Sequence, residues 1–291
     1  MKKLLIFAVA VTAAALLFSC SDKGIKPDST VDVSVEFSEN EFDVPDDLDY
    51  RDQFDHINPT ENTTEEATEA TVTTKVFSDK NPPKPDYKAA ECIDVPYLSQ
   101  EEYPTGCELV STAMLLSYCG YEIEPMYLIE KGYLETASVE YKNGRLYGGN
   151  PNEVFVGNPE LTTGYGCYSG AIVKALKKYF EDESAIAYQI EDTDLSELCE
   201  SHIANGEPVI IWASIDMVSL EKKKESTWII QKTGKEFTWL TNEHCMVLVG
   251  YDDYYYYIHD PQRGAFTPYK RSDVDKRYEE MGRQAVAVIA W

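Results

Sequence analysis

Residues 109–118, LVSTAMLLSY, are apolar on nearly every face, and a helix with so little polar surface has to be covered on all sides. That demand alone implies a sizeable packed domain. The stretch just before it, QEEYPTGCE at residues 100–108, turns from loop into helix. Thr105 and Glu108 stand at the T-x-x-E spacing of a capping box, which predicts a helix start at this point. Cys107 then falls in the first turn, where unpaired N–H groups and the positive end of the helix dipole favour a thiolate. The pattern predicts a nucleophilic thiol at the exposed tip of a buried helix.

Such a cysteine needs a base, a group to orient the base, and donors for an oxyanion. The chain has four histidines. His56 lies in an acidic, structure-poor stretch, and His202 in a polar part of an amphipathic helix. His244 opens the apolar run HCMVLVGY, and His259 closes YYYYIHD, with Asp252-Asp253 as the turn between two strands. Side chains alternate along a strand, so His259 and Asp260 point to opposite faces. A hairpin of these strands would set His244 at the start of one beside Asp260 at the end of the other. That favours His244 as base and Asp260 as its orienting acid. Gln100, seven residues before Cys107, is placed to donate its amide to an oxyanion. Cys167, in a Gly-rich turn ahead of a helix, is a rival nucleophile with no base assigned to it.

The remaining features set the context. The formal net charge is −25, with the acidic excess spread over both halves, which argues against nucleic-acid binding. Lys2 and Lys3 precede an apolar run at 4–17, and LFSC at 17–20 resembles a bacterial lipobox. Residues 1–19 are therefore expected to be a lipoprotein signal peptide, with Cys20 lipidated and the rest held at the extracellular face of the membrane. Residues 20–88, rich in Asp, Glu, Thr and Pro, read as a disordered linker, and 89–291 as the packed domain. Neither C-x-x-C nor H-E-x-x-H occurs, so neither a metal nor another cofactor is expected. Cys92, Cys119, Cys167, Cys199 and Cys245 leave the disulfide pattern open. Helices are expected at 125–131, 169–180, 194–205 and 272–281. Strands are expected at 208–213, across 228–239, at 244–251 with 254–260, and at 285–290; 144–166 reads as a long loop. Helices first and mostly antiparallel strands later indicate an α+β fold.

Several phrases, VPYLSQEEYPTGCELVS, GYGCYSGAIVKAL, PVIIWASI and EHCMVLVGYDDYYYYIHDP, resemble the family-39 cysteine peptidases, named for leader peptidases that cut after double glycine. They are particularly similar to its stand-alone, exported branch in Gram-positive bacteria. The resemblance implies a papain-like fold, with a central N-terminal helix carrying the nucleophile and packed on a mostly antiparallel sheet. It implies Cys107 as nucleophile, His244 as base, Asp260 as orienting acid and Gln100 as oxyanion donor. The expected activity is hydrolysis of peptide or isopeptide bonds through a thioester acyl-enzyme, on a peptide or cell-wall peptide. The alternative is a catalytically silent binding or adhesion module on the same fold. Substrate, cleavage motif and oligomeric state stay open.

Overall fold

The structure, a computed structural model, describes residues 83–181 and 185–291. The expected signal peptide, the lipobox Cys20, His56 and most of the acidic linker lie outside the described residues. Among the described residues no helix is long and apolar enough to cross a membrane.

A six-stranded sheet forms the centre. Its strands are β5 (Ala185–Glu191), β6 (Val209–Ser214), β9 (Glu243–Tyr251), β10 (Tyr255–Asp260), β11 (Gly264–Lys270) and β12 (Gln284–Ala290). Their order is β11-β10-β9-β6-β12-β5, and every neighbouring pair is antiparallel. Helices α1 (Cys107–Tyr118) and α3 (Ser169–Tyr179) share a hydrophobic core with one face of this sheet. Helices α4 (Leu195–Ser201) and α5 (Arg271–Glu280) share a second core with the other.

Strand alternation divides each central strand between these cores. In β6, Ile210 and Trp212 enter the α1 side, while Val209, Ile211 and Ala213 enter the α5 side. In β9, Cys245, Val247 and Val249 face α1, and Met246 and Leu248 face away. A sheet covered on both faces needs strands that are apolar at every position, and VIIWA and CMVLV meet that need. It also explains the tyrosine run: Tyr255, Tyr256 and Tyr257 are all buried, where alternation on a half-exposed sheet would bury only half of them.

A second sheet lies over the loop side, in the order β2-β3-β7-β8. Its strands are β2 (Glu140–Lys142), β3 (Arg145–Gly148), β7 (Glu221–Ile230) and β8 (Glu236–Thr241), and β3 pairs with β7 in parallel. A short helix, α2 (Tyr127–Glu130), and a two-residue parallel pair, β1 (Thr136–Ala137) with β4 (Phe155–Val156), complete the domain. The expected long loop at 144–166 therefore contains strand. Asn143 and Gly144 both have positive φ, 49° and 82°, as a tight hairpin turn between β2 and β3 requires. Strands β5 and β11 were also not anticipated. Both lie at the edges of the central sheet, and β11 contains Pro268, so neither has the apolar signature of the inner strands.

Candidate active site

Helix α1 begins at Cys107 with Gly106 as N-cap and no side-chain capping bond, so the capping box is not formed. The Thr105 hydroxyl instead donates to the carbonyls of Asn158 and Leu161 at 3.2 and 3.0 Å. Glu108 turns into the protein, where its Oε1 accepts the Cys167 backbone N–H at 2.6 Å. Gly166 makes room for it: a Cβ there would lie 2.1 Å from Glu108 Oε1.

Cys107 is also not exposed. Its residue surface is 5% accessible, and the thiol donates to Glu108 Oε2 at 3.5 Å. Burial pushes the thiol well above its ordinary pKa, the charges of Glu108, Glu243 and Cys245 add to that, and the Cys245 backbone N–H partly offsets it. The helix-tip argument for a depressed pKa is thus overturned in this conformation, because desolvation and two neighbouring acids outweigh the helix dipole.

His244 and Asp260 meet as strand alternation requires. His244 and Asp260 lie on the sheet face opposite Cys245, and His244 Nε2 is 2.8 Å from Asp260 Oδ1. Each side chain is 1% exposed. Asp260 also accepts the Gln262 backbone N–H at 2.8 Å and the Tyr269 hydroxyl at 2.6 Å. Burial would raise its carboxyl, but the His244 bond and charge, with the Tyr269 and Gln262 donors, hold it below the usual range. With Nε2 committed to Asp260, His244 Nδ1 is left buried with no hydrogen-bond partner. The amide next to His244 in the chain, that of Cys245, faces the Cys107 thiol, so the two candidate residues lie on adjoining elements, α1 and β9, while the thiol itself is bonded to Glu108.

Gln100 is buried in the lead-in to α1. Its backbone N–H donates to the Pro261 carbonyl at 3.0 Å, and Tyr97 Oη donates to the Asp260 carbonyl at 3.2 Å, which ties this loop to the end of β10. The Gln100 amide makes only long bonds, to the carbonyls of Pro104 and Tyr103 at 3.4 and 3.5 Å, and its Oε1 has no partner. A loosely held amide in the loop before Cys107 retains donor capacity for a ligand oxygen.

The other candidates have different partners. His259 faces the opposite side from Asp260, with Nε2 on the Val95 carbonyl at 2.8 Å and Nδ1 accepting the Phe266 N–H at 3.1 Å. Burial lowers its pKa, and both ring nitrogens are occupied in structural bonds. His202 pairs with Glu207 at the end of α4. Cys167 is fully buried, and burial, then Glu108 and Glu243, raise its thiol well above the ordinary value. All six cysteines among the described residues are free.

Sequence reasoning missed Glu243 and Tyr269 and misassigned Glu108. Glu243 is 8% exposed and its Oε1 has no partner. Burial, then the charge of Glu108, raises its carboxyl well above the ordinary range, while burial brings Glu108 to about 7 despite its hydrogen bonds. One donor atom each from Cys107, Glu108 and Glu243 lies within 4.8 Å of the others, although both Glu108 oxygens are already engaged. The signal was an acid at the start of each of two apolar segments. Beside the Thr105 loop, a cavity of about 710 Å³ is lined in part by Met126, Ile129, Leu146, Pro159, Leu161 and Tyr165.

The chain is similar to several known proteins. The chain is 28% identical over 203 residues to YvpB, an uncharacterized protein of Bacillus subtilis (strain 168), covering 69% of this chain and 76% of YvpB. A crystal structure from Bacillus anthracis, described as that of a C39-like peptidase, is similar with a TM-score of 0.57 at 30% identity, over 68% of this chain and 96% of its own. A double-glycine-motif protease of an AMS/PCAT transporter, solved with its leader peptide, is more distant: 16% identity and a TM-score of 0.39 over 69% of this chain and 94% of its own. The profile of the Peptidase_C39 like family matches residues 92–286. With its helix-borne cysteine and antiparallel sheet in a papain-like fold, the chain belongs to the Peptidase_C39-like family.

Proposed function

We propose that this protein is a cysteine peptidase, tethered through lipidated Cys20 to the outer face of the cell membrane, that hydrolyses peptide or isopeptide bonds. The observation that carries the catalytic part is the buried His244–Asp260 pair, whose remaining ring nitrogen is unpartnered on the strand that flanks Cys107. His244 Nδ1 takes the Cys107 proton as Sγ attacks the carbonyl carbon, and Asp260 supports the imidazolium. The Gln100 amide and the Cys107 backbone N–H receive the oxyanion. Collapse of the tetrahedral adduct returns the proton from His244 to the leaving amine and leaves a thioester. A water, deprotonated by His244, hydrolyses that ester and regenerates the thiol. The cavity beside the Thr105 loop, lined by apolar side chains and by Thr136, Ser138, Asn158, Glu160 and Thr163, suits a substrate side chain of mixed polarity.

The second reading, a binding module without turnover, is favoured by one observation: the Cys107 thiol is buried and bonded to Glu108, not to His244. Incubating wild type and Cys107→Ala with a peptide library and with purified peptidoglycan distinguishes the two. Cleavage by wild type alone, with acyl-thioester mass trapped on Cys107, supports the peptidase. Binding of the same ligands by both proteins, with no product, supports the module.

A further inference from the structure

The acids behind the nucleophile are not explained by the catalytic set. Cys107 and Glu108 face them from α1, Glu243 and Cys245 from β9, and Cys167 and Tyr168 from the segment entering α3. Every one of these groups is neutral or negative, and the charges named as acting on them most strongly are the acidic ones of Glu108 and Glu243. Buried like charges this close cannot all ionise, so the cluster has to retain protons. Glu243 Oε1 is buried with no hydrogen-bond partner, so nothing there stabilises the ionised form.

We propose that Glu108 and Glu243 are a coupled carboxyl pair that sets the state of Cys107: while both keep their protons the thiol is free to react, and once Glu108 ionises it holds the thiol silent. They are positioning residues, acting through Cys107. The geometry supplies the means, since an ionised Glu108 Oε2 at 3.5 Å from Sγ both accepts the S–H and repels a thiolate. Glu108 reaches about 7, so the change falls near neutral pH. The nucleophile then works best on the acid side of neutrality, the reverse of an ordinary thiol. This rests on Cys107 being the nucleophile, but its test needs no substrate.

The test is the alkylation rate of Cys107 by iodoacetamide, read by mass spectrometry on the full chain across the pH range, with circular dichroism to verify folding. Near pH 8 Glu108→Gln should react at least about tenfold faster than wild type, and near about pH 5.5 the two should converge. Gln keeps an acceptor for the Cys167 amide, and Glu243→Gln should move the wild-type inflection. Superimposable profiles for wild type and Glu108→Gln overturn the proposal. So does a rate raised by EDTA, which would mean that a bound cation, not retained protons, holds the cluster. Should Glu108→Gln fail to fold, the infrared band of a protonated carboxylic acid in wild type near about pH 6 decides: loss of the band in Glu243→Gln supports the pair, and its absence from wild type overturns it. Failure of the peptidase reading would appear separately, as absent turnover with the alkylation profile intact.

Discussion

Replacing Asp260 by Asn removes a charge while nearly preserving shape. The carboxylate accepts three hydrogen bonds, from His244 Nε2, the Gln262 amide and the Tyr269 hydroxyl. In the Asp260→Asn protein the side-chain oxygen can still accept from His244 and Gln262, and the Tyr269 hydroxyl can rotate to accept from the new NH₂. The fold should therefore lose only about 1–3 kcal/mol, as charge-assisted bonds become neutral ones. The larger effect falls on the step in which His244 carries positive charge. Opposite charges about 4 Å apart in a partly dry site interact by about 4 kcal/mol, so losing about 2–4 kcal/mol of imidazolium stabilisation should slow turnover about 30- to 1,000-fold. KM should barely move, because Asp260 is 1% exposed and meets no substrate. The assay is kcat and KM on a cleaved peptide from the library, with urea unfolding to measure stability and ¹⁵N NMR to assign the His244 tautomer. A folded Asp260→Asn protein that keeps kcat within about twofold of wild type, with the tautomer unchanged, refutes the assignment of Asp260 as the group that supports the base.

Gly166→Ala should destabilise the domain by about 2–4 kcal/mol, because φ of 143° suits only glycine and the new methyl would strike Glu108; an unchanged urea midpoint would contradict this. Stability should also fall as pH rises from the ordinary carboxylate value of 4.5 to about 7, the window in which unfolded Glu108 has released its proton and folded Glu108 still holds it. Glu108→Gln should flatten that slope in urea titrations at stepped pH. Two other groups act with the opposite sign, His259 partly within the same window, so the slope owed to Glu108 is the difference between wild type and Glu108→Gln. Asp260 is held low and His259 is held neutral, so the stability they give is complete above their ordinary values of 3.8 and 6.5 and is lost as pH falls below them.

Much of the site was legible because it depends on two local rules. Strand alternation separated His244 from Cys245 and Asp260 from His259, and the hairpin turn at Asp252 brought the two strands together, with Asp252 Oδ1 accepting the Tyr254 and Tyr255 amides. The apolar runs marked α1, β6 and β9 for the same reason: elements covered on every side tolerate few polar positions. What escaped depends on contacts distant in sequence. Glu108 was read as a cap because T-x-x-E is a local pattern, yet its partner is the Cys167 amide, 59 residues away. Glu243 escaped because the residues it meets, Cys107 and Glu108 on α1, are distant in sequence. Tyr269 sits on an edge strand whose composition resembles a loop, so nothing local announced the hydroxyl that completes Asp260's set of donors.

The lead-in to α1 is fastened along its length to the ends of β9 and β10. Tyr255 Oη holds the Pro83 carbonyl, Tyr257 Oη accepts the Asp86 amide, Ile93 N–H meets the Val249 carbonyl, His259 meets the Val95 carbonyl, and Gln100 N–H meets that of Pro261. These clasps form a series, so tension entering the domain at its N-terminal side would be resisted first by the bonds to Tyr255 and Tyr257. Gln100 and Cys107 would feel the pull only after the whole series had parted. Mechanically, the candidate site sits downstream of its own strain relief.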